Sequence, residues 1–121
     1  TLRAVLANGR LDLAAGRLDA ARRDAERALA VDPRRAPAHA VLGEAARQRD
    51  DAGGLEEAVG HYRRAVALDP RLAPAWRGLG LALFKKGDRK GARPAFARYL
   101  ELEPAAADRG HVRDYLARCG N

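Results

Sequence analysis

Three histidines, one cysteine and several paired acids are the side chains of this sequence that could do chemistry, and their spacing decides whether they can. His39, His61 and His111 offer imidazoles for proton transfer or metal ligation. No two of them stand four residues apart, the spacing that sets two imidazoles on one helical face, and Cys119 has no second cysteine with which to hold zinc. No metal site is expected, and no cofactor, since the glycines lack phosphate-loop spacing. Nucleophilic catalysis is short of its ordinary parts, because the chain has no serine and Thr1 is its only threonine. Arg118 beside Cys119 would favour a thiolate, but the cysteine falls on an apolar stripe and is expected to be buried. The pairs Asp50-Asp51 and Glu56-Glu57 fall at a turn and a helix start, where solvent and the helix dipole accommodate acids. No enzyme is expected.

The elements that would position these groups announce themselves by recurrence. Val31-Asp32-Pro33, Leu68-Asp69-Pro70 and Leu102-Glu103-Pro104 share one ending, with 37 and then 34 residues between the prolines. A period on that scale is one supersecondary unit copied and stacked, each copy too small to bury its apolar face alone. From Ala73, the residues Trp76, Leu79, Gly80 and Leu83 fall on one face of a helix running from about Pro74 to Lys86. Gly87-Asp88 breaks it, and Ala92, Phe96, Tyr99 and Leu100 form the apolar face of a second helix that ends near Leu102. Pro94 would interrupt that second helix, so a late start near Gly91 is expected, leaving the proline in the first turn.

Trp76-x2-Leu79-Gly80-x2-Leu83, then Ala92-x3-Phe96, then Pro104 resembles the tetratricopeptide repeat almost site for site. The middle copy reads His39-x2-Leu42-Gly43-x2-Ala46, Ala58-x3-Tyr62, Pro70, with a hairpin three residues longer whose excess is placed in the turn 49–54. In the first copy Val5, Gly9, Gly16, Ala21, Ala25, Ala28 and Pro33 keep the frame, while Asn8 and Asp12 stand at sites expected to be large and apolar. A last helix over about 106–119 sets Val112, Tyr115, Leu116 and Cys119 on one stripe and Arg109, Arg113, Asp114 and Arg118 off it, as a cap requires. His39 then takes the place of the repeat's aromatic between helices, His61 lies near the outer surface and His111 beside the cap stripe. The expected fold is all-α, a right-handed α-solenoid of three hairpins (about 2–35, 36–72 and 73–105) plus the cap, seven helices in one domain.

In the family it resembles, the first helices of successive repeats line a concave groove that takes a peptide or a partner helix. By helical phase the groove residues here would be Arg3, Leu6, Arg10 and Leu13, then Val41, Glu44, Arg47 and Gln48, then Arg77, Leu81, Phe84 and Lys85. The leucines and Phe84 would bury a partner's side chains while Arg10, Arg47, Arg77 and Lys85 met its carboxylates. The expected function is therefore a non-catalytic scaffold for a protein or peptide that is acidic with apolar anchors. Family members that clamp a terminal carboxylate do so through lysines and asparagines, and the matching sites here, Leu6, Arg10, Val41, Pro74 and Gly78, lack the asparagines and most of the cations.

A net charge of +7 raises nucleic acid as a second partner class. It ranks lower, because arginine is interleaved with Asp and Glu and the aromatics are claimed by the repeat core. Two other readings stay open: an accessory domain of a longer protein, and a homo-oligomer whose apolar end is covered by another copy. No run approaches the roughly 18 apolar residues needed to span a bilayer, so a soluble protein without membrane insertion is expected, its compartment open.

Overall fold

The computed structural model describes residues 15–49 and 51–120, and among them there are six α-helices and no strand. They are α1 (Ala15–Val31), α2 (Ala36–Gln48), α3 (Ala52–Leu68), α4 (Ala73–Lys86), α5 (Arg89–Leu102) and α6 (Arg109–Arg118). The first helix expected for the first repeat, with Val5, Asn8, Gly9 and Asp12, lies outside the described residues.

Each apolar-acid-proline ending builds the same corner. The acid's own amide closes the helix, Asp32 onto Ala28, Asp69 onto Ala65 and Glu103 onto Tyr99, each at 2.8 Å. Its carbonyl then accepts from the residue three further on, from Arg35 at 3.3 Å, Leu72 at 3.2 Å and Ala106 at 3.1 Å. Proline is the second residue of each turn, where its fixed φ is favourable and its missing amide costs nothing. In the first two corners the Asp side chain also accepts from the amide two residues on, at 3.0 Å from both Arg34 and Arg71. Glu103 makes no such bond, its carboxylate standing one methylene too far out for this turn.

The corners stack the helices in chain order, each packing on the next, and α2 and α4 also touch, so the first helices of successive hairpins lie side by side. Size selection holds the hairpins shut. Tyr62 and Phe96 are fully buried, and a Cβ on Gly43 or Gly80 would come 2.9 Å from the Tyr62 ring or 2.7 Å from the Phe96 ring. One core runs from α2 to α6, whereas α1 joins α2 through a separate cluster of Ala21, Ala25, Ala38 and Val41. At about 25 cal/mol per Å² of apolar surface, alanine-lined contact stabilises less than the aromatic seams further along.

Three local expectations are corrected. The turn after α2 is shorter than 49–54: Asp51 caps α3 by accepting from Gly54 N at 2.5 Å, which draws Gly53 and Gly54 into the helix. Asp88 does the same for α5, accepting from Gly91 N at 2.9 Å. The helix therefore starts at Arg89, and Pro94 lies inside it rather than in its first turn. Pro94 is exposed, so the Lys90 carbonyl that lacks its helical donor faces the solvent side. The cap helix begins at Arg109 and not near 106; a further turn, closed by the Arg109 amide donating to Ala106 O at 3.1 Å, comes before it.

Candidate functional site

The contact between α2 and α4 sets the expected groove positions of both helices on neighbouring elements, and one of those positions, Glu44, holds a buried ion. Glu44 is 2% exposed. Arg47 Nη2 donates to both of its oxygens, at 2.8 and 2.6 Å, Gln48 Nε2 donates at 2.8 Å, and the buried Tyr62 hydroxyl donates at 2.9 Å. A helical i, i+3 and i, i+4 spacing supplies the first two donors; the third comes across the hairpin from α3. Burial, and next the Glu44 charge, push the Tyr62 phenol far above its ordinary range, against the opposing effect of Arg47. Tyr62 therefore stays a donor.

A second carboxylate is held the same way at the other end of the stack. Asp108, 6% exposed, accepts from Arg77 Nε at 2.5 Å and from the Tyr99 hydroxyl at 2.7 Å. Burial acts to raise its pKa, but the hydrogen bonds from Tyr99 and Arg77 win and hold it below the usual carboxylate value. Burial first, and then the bond to Asp108, push the Tyr99 phenol well up. One helix from each of α4 and α5 is thereby tied to the residue that begins the cap.

These networks correct the groove as read from helical phase. Val41 is 1% exposed, in the core between α1 and α2, and Glu44 is interior, so neither offers free surface. Arg47 and Arg77 were expected to meet a partner's carboxylates, and each instead meets one within the chain. Phe84 packs edge-on against Tyr115 of the cap, ring centres 5.0 Å apart, with the Arg89 guanidinium 5.1 Å over its ring. Leu81 is half-buried against the same core, while Gln48 and Lys85 are exposed. Arg3, Leu6, Arg10 and Leu13 lie outside the described residues.

The histidines are placed by the repeat. Trp76 Nε1 donates to Pro70 O at 2.7 Å, and 37 residues earlier His39 Nε2 lies 3.0 Å from Pro33 O. Imidazole brings a second nitrogen that indole lacks, and His39 Nδ1 is buried with no partner among the described residues. His61 is half-buried and stacks on His39 at 6.1 Å, a pairing that spacing alone does not reveal. Burial, followed by the nearby His39, lowers the His61 pKa. Cys119 is buried, and that burial raises its thiol pKa against Arg89 and Arg93. Among the described residues His, Cys, Asp and Glu form no group of three that could hold a metal ion.

A cleft of about 770 Å³ opens between α1 and α3, with Leu42, Ala45 and Ala46 of α2 among its lining. Its rim charges are paired, Arg22 with Glu26 at 2.6 Å and Arg49 with Glu57 at 3.3 Å. Among the described residues no helix is long and apolar enough to cross a membrane.

Comparison with protein-family models gives three matches. A model described as TPR repeat covers residues 51–87, and two described as tetratricopeptide repeat cover 6–53 and 73–106. No curated protein matches the chain.

Proposed function

The chain belongs to the tetratricopeptide repeat family, a family of protein interaction modules, and from that premise we propose that it is a non-catalytic scaffold that holds a peptide or partner helix along its first helices. The observation that supports this reading is the side-by-side packing of α2 and α4, which sets Gln48, Leu81 and Lys85 on adjoining helices. Arg47 and Arg77 border that surface with side chains 22% and 25% exposed. Because each already holds an internal carboxylate, they act here as a rigid rim rather than as mobile cations. A partner would meet a surface ordered before it arrives, which lowers the entropy lost on binding. The apolar contribution is Leu81, with the edge of Phe84 beside it.

The test is capture of binding proteins on the immobilised full chain, repeated with Leu81→Arg. Partners retained by the wild type and lost by the variant, with melting temperatures within a few degrees, support the concave face. Equal retention by both proteins moves the site elsewhere.

A further inference from the structure

The corner between α4 and α5 concentrates positive charge, and the helix dipole accounts for only part of it, Lys85 and Lys86 standing in the last turn of α4. Of 23 cationic side chains only Lys85, Lys86 and Lys90 are lysine, and all three stand within six residues at this corner. A bias toward arginine along the chain does not place lysines here. Residues 85–93 contain five cations and one acid, Asp88, and all five cations are exposed. The Asp88 carboxylate is engaged by the Gly91 amide as a helix cap.

Arg89 and Lys90 are the first two residues of α5, whose first turn contains no acid. That is the positive end of the helix dipole, where cations are unfavourable and acids are preferred. Arg89 gains a packing contact there, but at exposed Lys90 the rule is broken without one, which points to a use outside the fold. Lys86 pairs with Glu56 of the neighbouring hairpin. Among the described residues Arg89 meets no carboxylate; it donates to the Arg118 carbonyl at 3.2 Å and lies over Phe84. It thereby ties the end of α6 to the start of α5 and is held in place. Lys90 and Arg93 have no ion-pair partner among the described residues, and Arg118, exposed and loosely paired with Asp114 at 3.9 Å, adds a further cation.

We propose that this corner is a second docking site, for an acidic protein segment that lays Asp and Glu side chains across Arg89, Lys90, Arg93 and Arg118. Unlike the concave surface, it would work through charge at an exposed rim, giving fast, salt-sensitive association. One observation favours a peptide over a nucleic acid. The nearby aromatic, Phe84, is covered by Tyr115 and Arg89, so no ring is presented to stack a base.

A labelled peptide of alternating Asp and Glu, titrated into the full chain at low salt, tests the site. Lys90→Glu with Arg93→Glu should weaken binding about tenfold or more, whereas Arg63→Glu with Arg64→Glu, the same charge change on α3, should alter it about twofold or less. Both variants should melt as the wild type does, and the concave-face variant should bind this peptide normally. Equal weakening by the two reversals would reduce the effect to net charge and overturn the proposal. So would absence of peptide binding, or tighter binding of a single-stranded oligonucleotide of the same charge.

Discussion

At Glu44 a carboxylate lies in the interior, and its charge has to be met there. Arg47, Gln48 and Tyr62 meet it with four donated bonds on two oxygens. Removing one member of such a set costs more than the set itself contributes, because the remaining charge is left buried without its counter-ion. Arg47→Ala should therefore destabilise the protein by about 3 kcal/mol or more, read as a lower denaturant midpoint with unchanged slope. Adding Glu44→Leu to the same chain should recover much of that loss, since the charge that needed a partner is gone. A double variant as unstable as the single one would show that Arg47 acts by packing alone. Glu44 within Val41-Leu42-Gly43-Glu44-Ala45-Ala46 was visible as an acid among small apolar residues. Its role was not, since the Tyr62 hydroxyl arrives from 18 residues away.

For the helices, the decisive property is how closely two of them approach. α4 and α5 close over Gly80 because the Phe96 ring occupies the space a side chain would need. Tyr62 fills the same role against Gly43, and a side chain on Gly78 would overlap its ring as well. Gly80→Leu should force α4 away from α5 and destabilise by about 3 kcal/mol, seen as a lower melting temperature and a more dispersed transition. A wild-type melting curve would refute the packing described. Helix boundaries show the limits of pattern. Gly87, at φ +97°, ends α4 where expected. Spacing places Asp51 in a turn and Asp88 at the break between helices, and the caps they form start both second helices ahead of Gly53, Gly54 and Pro94.

Across the whole molecule, the cap is fastened by one buried carboxylate contacted from two helices. Asp108 draws on Arg77, 31 residues earlier, and on Tyr99, so its charge state reports whether the end of the stack is closed. Its folded pKa lies below the ordinary 3.8. In acid the unfolded chain therefore takes up this proton first. The stabilisation is complete above about 3.8 and is lost as pH falls through the folded value. Melting series from neutral pH to about pH 3 should show Asp108→Asn less stable than wild type near neutrality, with the difference shrinking in acid. A gap that stays constant would mean that the charge of Asp108 contributes nothing.

Sequence by itself determined the period, the hairpin unit, the proline endings, the stripe of the cap and the small sites at Gly43 and Gly80, though not the one at Gly78. All are local or periodic, and a 3.6-residue face or a proline turn is legible without knowing what lies opposite. Tertiary structure alone decided that Arg47 and Arg77 serve internal carboxylates, that Val41 is core, and that His61 rests on His39. The Arg47–Glu44 pair is itself local, three residues apart on one helix, but the burial of Glu44 and the other contacts depend on which side chains meet across helices far apart in sequence. Helical phase names a face but not its depth, so groove positions that looked open proved to be filled by the chain's own charges.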